Sequence, residues 1–127
     1  MIDPMVQSLL EHAIDNPVKL HLLLVFYENP RLEATPRAIA ERICRDIWSV
    51  AEALQELADD GIMVHAATAN GDPVYRYGPG LAHLEAIERL INGYNDPLER
   101  DLLHRSLREV AAYAPYRRAN VWEAQVA

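Results

Sequence analysis

Cysteine, glycine and positive charge are all scarce in this chain. Its 127 residues include one cysteine, five glycines and one phenylalanine, and twelve lysines and arginines stand against nineteen aspartates and glutamates. The lone Cys44 excludes an internal disulfide and a zinc site built from cysteines. There is no glycine-rich phosphate loop, no nucleophile elbow and no HExxH pair, so neither an enzyme nor a cofactor is implied. The longest apolar run, Leu22 to Tyr27, is far short of the ~18 residues that a membrane span needs. No basic stretch precedes an apolar core at the N-terminus, so no secretory signal is expected, and a soluble cytoplasmic protein is. The formal charge of −7 lacks the basic footprint usual in a nucleic-acid binder, which leaves the decision to the local distribution of charge. Half of the residues are hydrophobic, enough for one packed domain over 1–127.

The pattern centres on residues 46–61, DIWSVAEALQELADDG. Asp46 is a good N-cap and Gly61 a good stop, and Ile47, Val50, Leu54 and Leu57 recur at helical spacing between them. Upstream, Thr35-Pro36 opens a short helix, TPRAIAERIC, with Ile39, Ala40 and Ile43 as its apolar face. Cys44-Arg45 forms the connecting turn, which has no glycine. Downstream, IMVHAATANGDPVYRYG reads as two strands joined at Asn70-Gly71. Before all of these, VKLHLLLVFYE over Val18 to Glu28 is apolar on nearly every side, as expected of a helix buried all round, and Asn29-Pro30 ends it. Arg31 to Ala34 reads as a loop.

Helix, short turn, helix and hairpin is the order of a winged helix-turn-helix. The spacing Val50-x3-Leu54-x2-Leu57-x3-Gly61-Ile62 resembles the second helix and wing entry of MarR-like and ArsR-like bacterial regulators, over roughly residues 17–78. The resemblance implies a mainly α fold with a three-helix core and a β-hairpin wing. It also implies a homodimeric transcriptional regulator that binds double-stranded DNA.

Helices are expected on both sides of that core. Asp3-Pro4 starts one within residues 1–16, with Val6, Leu9, Leu10, Ala13 and Ile14 as its stripe, suited to a lid on the core or to a dimer arm. In the segment 79–127, residues 81–93 place Leu84, Ile87 and Ile91 on one face, with Gly93 as a stop. Asp96-Pro97 opens a last helix that Pro115 should end, and residues 115–127, with Tyr116 and Trp122, lack periodicity. Leu9, Leu98, Leu103, Leu107 and Val110 exceed what a small core can cover, and regulators of the resembling families pair through such terminal helices, so these five are the dimerisation candidates.

The recognition helix of the resembling families offers its N-terminal and outward side chains to base edges, here Trp48, Ser49, Glu52 and Gln55. This helix carries Asp46, Glu52, Glu56, Asp59 and Asp60 and no lysine or arginine, which repels phosphate. Arg31, Arg37, Arg42, Arg45 and the wing residue Arg76 are the cations available to contact DNA, partly offset by Glu33 and Glu41. An acidic recognition helix equally suits a winged-helix module that binds a protein partner instead of DNA. Asp101 and His104 at i, i+3 are too few for a metal site, and His12, His21, His65 and His83 read as surface or capping residues. Cys44 suits a small buried gap; beside Arg42 and Arg45 it also has the surroundings of a redox-sensing thiol.

Overall fold

The computed structural model describes the backbone of residues 2–126 and the side chains of residues 2–118. Along the chain run α1 (Pro4–His12), α2 (Pro17–Glu28), β1 (Glu33–Ala34), α3 (Pro36–Ile43), α4 (Ile47–Asp59), β2 (Met63–Ala67), β3 (Pro73–Tyr77), α5 (Leu81–Tyr94) and α6 (Pro97–Val126). They gather into two compact units, one of residues 18–85 and one of residues 1–17 with 86–127. Among the described residues no helix is long and apolar enough to cross a membrane.

The first unit is a winged helix. Its helices begin where short polar side chains satisfy the free N–H groups of the first turn. Thr35 Oγ1 accepts from the Ala38 N–H at 3.3 Å to open α3, and Asp46 accepts from the Ser49 N–H at 2.8 Å to open α4. Gly61, at φ +82°, ends α4 and turns the chain into β2. The wing pairs β2 with β3 from Met63↔Tyr77 to Ala67↔Pro73. Its tip is the turn Thr68–Gly71, closed by the Gly71 N–H on the Thr68 carbonyl at 3.0 Å, with Gly71 at φ +85°. The segment Arg31 to Ala34, read from sequence as a loop, contributes a third strand: Glu33 and Ala34 pair with Arg76 and Tyr75, giving the sheet order β1-β3-β2. Two residues are too few to show an alternating pattern, so only the pairing with β3 reveals β1.

Leu20, Leu22, Leu23, Phe26, Ile39, Val50, Leu54, Leu57 and Ile62 are buried. The expectation that α2 is buried all round needs correcting, because Leu24 and Val25 are only half-buried and Tyr27 is exposed. The one charged residue of its first turn lies inside. Lys19 is fully buried, and its ammonium contacts Glu56 Oε1 of α4 at 2.5 Å. Cys44 does not fill a buried gap either. It is exposed, at φ 58° and ψ 45°, the left-handed position that ends α3 and that glycine usually takes. The Arg45 N–H closes the turn on the Ala40 carbonyl at 3.0 Å.

In the second unit α1 packs on α6. Asp3 caps α1 through the Met5 N–H at 2.8 Å and holds Arg89 at 2.7 Å. Ser106 Oγ donates to Gln7 Oε1 at 2.8 Å. Two expected stops are not stops. Gly93 lies inside α5, where a Cβ would stand 2.6 Å from Glu99 Oε2, so this glycine admits a close approach rather than ending a helix. Pro115 lies inside α6 and costs that helix one hydrogen bond. Just beyond it, Arg117 and Arg118 reach the buried carboxylate of Asp15 at 2.5 and 2.9 Å and hold the following turn in place. The predicted α5 face is also rotated: Ile87, Leu90 and Ile91 are buried, whereas Leu81 and Leu84 are exposed. Trp122 lies outside the described side chains.

The buried ion pair makes a prediction. Glu56→Ala removes the carboxylate that Lys19 contacts inside the fold, and stability should fall by about 3 kcal/mol, toward the low end for buried pairs because Glu56 keeps some exposure. Replacing both residues, Lys19→Met with Glu56→Leu, should recover most of the loss in chemical denaturation. A single-variant loss of about 1 kcal/mol or less would contradict the pair's buried character.

Candidate nucleic-acid interface

All nine DNA-contact candidates lie in the winged-helix unit, on different elements and in different states of engagement. Burial of Val50, Ala53, Leu54 and Leu57 turns Trp48, Glu52, Gln55 and Asp59 to the outward side of α4. Trp48 is 76% exposed, and Glu52 is exposed beside it one turn on. Ser49 belongs to the helix cap: its N–H donates to Asp46 Oδ2 at 2.8 Å, and hydrogen bonding by Ser49 holds the Asp46 carboxyl below the usual range. Gln55 is spanned at both ends: its Nε2 donates to Asp59 Oδ1 at 3.0 Å, and its Oε1 accepts from the Tyr75 hydroxyl at 3.2 Å. Burial, and then the Asp59 carboxylate, push the Tyr75 hydroxyl up. Gln55 therefore ties α4 to the wing.

The cations sort themselves by partner. Arg45 Nε donates to His21 Nδ1 at 3.1 Å. Arginine only donates, so Nδ1 carries the lone pair and the ring proton sits on Nε2. Burial, and secondarily the Arg45 charge, hold the His21 imidazole below its ordinary value, which keeps it neutral and able to accept. Lys19, Arg89, Arg105, Arg117 and Arg118 are in ion pairs, and Arg100 donates to the Tyr94 carbonyl at 2.7 Å and lies over its ring. Five side chains, those of Arg31, Arg37, Arg42, Arg76 and Arg108, make no ion pair or hydrogen bond among the described residues. Four of these five belong to the winged-helix unit, and all four are exposed. Arg31 and Arg42 line one open cleft with Asn29, Pro30 and Leu32. Arg37 stands in the first turn of α3, and Arg76 lies on β3 opposite Glu33.

Elsewhere, Asp101 is paired with Arg105 at 3.0 Å, and the His104 ring packs edge-on against Tyr94 at 5.5 Å. His65 lies on the wing, 5.6 Å from the Tyr75 ring. Of the dimerisation candidates, Leu9, Leu103 and Leu107 are buried within the chain and Val110 is half-buried, whereas Leu98 is 80% exposed. Tyr113 of α6, which sequence reasoning missed as a surface group, is exposed, and so is Tyr116, singled out in the sequence as able to dock on a partner surface. Their spacing from Leu98, fifteen and eighteen residues on the same helix, was the available signal, because it returns to the same side after about four and five turns.

No protein-family model matches the chain, and no curated protein matches it. Two solved structures do. A possible transcriptional regulator from Methanosarcina mazei Go1 has 16% identity and a TM-score of 0.51, over 76% of this chain and 85% of that one. The YusO protein from Bacillus subtilis has 15% identity and a TM-score of 0.53, over 98% of this chain and 84% of that one. The likeness is one of fold. It places the six-helix, three-strand arrangement of the described residues among structures that include a possible regulator.

The His21–Arg45 contact sets a pH dependence. A histidine whose folded value is lowered takes up its proton first in the unfolded chain, so stability is complete above about pH 6.5 and falls as pH drops below that value, until the folded ring protonates. His21→Gln, which keeps an acceptor without titrating, should remove this part of the acid slope in urea midpoints measured across that range. An unchanged slope would mean that His21 does not carry it.

Proposed function

We propose that the protein is a DNA-binding transcriptional regulator of winged-helix type that acts as a homodimer, in the manner of the MarR-like and ArsR-like groups. In this reading residues 1–127 form one domain in which the terminal helices pair two winged cores. The observation that carries the proposal is the concentration of unpartnered arginines, Arg31, Arg37, Arg42 and Arg76, on the winged-helix unit of a chain whose net charge is −7. Cations left in solvent while most others are tied to acids form a local footprint for phosphate. Arg45, turned to His21, acts in this reading by holding the turn before α4, and Trp48 is the side chain of α4 best exposed to meet a sugar or a thymine methyl.

A second reading has an observation of its own. The outward side of α4 bears Glu52 and Asp59 and no cation, and Ser49 and Gln55 are held by internal hydrogen bonds. Such a face suits a protein partner rather than base edges.

Each phosphate neutralised contributes roughly −0.9 to the slope of log affinity against log salt. A dimer using two or three arginines per subunit should show a slope of about −4 to −5 on genomic fragments flanking its own gene. Arg37→Ala should weaken binding to all sequences alike and flatten the slope by about 2, since each subunit loses one contact. Glu52→Arg should raise non-specific affinity. No retardation of duplex DNA at ~50 mM salt would favour the protein-binding reading.

The dimer has its own test. Leu98, Tyr113 and Tyr116 are each at least 70% exposed on one side of α6 and supply the apolar surface that pairing needs. Leu98→Glu with Tyr113→Glu should shift sedimentation from dimer to monomer while the helical signal is kept. Leu103→Glu and Leu107→Glu would instead unfold the chain, because both leucines are buried. A wild-type monomer at high concentration would overturn the pairing.

A further inference from the structure

Arg31 and Arg42, both exposed and both without a salt-bridge partner among the described residues, line one cleft. It is lined by Asn29, Pro30, Arg31, Leu32 and Arg42 and is open to solvent, with a volume of about 390 Å³. Its floor is a fixed turn. The Leu32 N–H donates to the Asn29 carbonyl at 3.0 Å, and both the Asn29 N–H and its side-chain Nδ2 donate to the Val25 carbonyl at the end of α2, at 3.0 and 2.9 Å. Arg31 rides on that turn, and Arg42 comes from the last turn of α3, so two arginines from separate elements line the same cleft.

Two like charges facing one cleft repel each other unless an anion lies between them. The nearby acids do not fill that role: Glu28, Glu33 and Glu41 are exposed, and neither arginine pairs with any of them. Pro30 and Leu32 make part of the wall apolar, which strengthens a charged hydrogen bond made there. Planar guanidiniums match the paired oxygens of a phosphate better than a lone cation does.

We propose that Arg31 and Arg42 together bind one phosphate group, carried either by the DNA backbone or by a free phosphate or phosphate ester. The proposal extends the DNA reading, which supplies one of those two sources, but the seat stands or falls separately from it.

The test follows the arginine side-chain Nε–H resonances of the full chain by NMR. Inorganic phosphate is titrated against chloride at matched ionic strength, and the titration is repeated with duplex DNA. Phosphate should move the Arg31 and Arg42 signals together along one binding curve and leave Arg108 unmoved. Arg31→Ala or Arg42→Ala should each weaken phosphate binding about tenfold, whereas Arg108→Ala should not change it. If DNA also binds and phosphate competes with it, the seat takes a backbone phosphate. If phosphate binds as described and DNA does not, the seat stands for a free ligand and the DNA reading fails. The proposal is overturned if neither signal moves beyond the chloride control, if only one of the two moves, or if the alanine variants bind phosphate as tightly as the wild type.

Discussion

Lys19 sets the placement of the helix on which any function of the winged-helix unit turns. Its ammonium is fully buried and must meet an acid inside the fold, and that acid, Glu56, stands on the third turn of α4. The pair therefore fixes how far α4 is rotated about its own axis. With Glu56 drawn toward α2 and Val50, Leu54 and Leu57 buried, Trp48, Glu52, Gln55 and Asp59 face outward. A buried pair of this kind adds little net stability, because both charges lose water, but a rotation that carried Glu56 away would cost the ammonium this contact. Gln55, bonded at once to Asp59 and to Tyr75 of β3, extends the same constraint from α4 to the wing.

Pairing decides which cations of an acidic chain are open to solvent. Among the described residues seven of the twelve cations are engaged: Lys19, Arg89, Arg105, Arg117 and Arg118 with acids, Arg45 with His21, and Arg100 with Tyr94. What a ligand meets is the remainder, and on the winged-helix unit that remainder is concentrated in the loop before β1, in α3 and in the wing. Net charge averages over residues that have already neutralised one another, so it describes the field at long range and says little about a contact surface.

The readable parts of the fold were those decided within a few residues. Asp3, Thr35 and Asp46 act as caps because a short side-chain oxygen two or three positions before an N–H will find it in any fold. Gly61 and Gly71 take positive φ because the chain reverses at those points. Cys44 takes such a position without being glycine, and it is exposed there rather than filling a gap. Gly93 and Pro115 misled for the opposite reason: each has a local meaning that distant partners override, Glu99 over the glycine and Asp15 on the arginines beyond the proline.

Sequence by itself determined the order of the helices and of the two wing strands and the helix starts, and through these the winged-helix class, because caps, turns and periodicity are short-range properties of the backbone; β1 and the α5 face escaped it. It also named the arginines that stand exposed on the winged-helix unit. Only the tertiary structure decided which of them are unpartnered, that Ser49 and Gln55 are committed to internal hydrogen bonds, that Leu9, Leu103 and Leu107 are buried while Leu98 is not, and that a lysine lies at the core. Those outcomes depend on which charges and surfaces meet across tens of residues, as Lys19 meets Glu56 and Asp15 meets Arg117. The free energy of such a meeting belongs to the pair and to its burial, and neither is written in the local spacing of either residue.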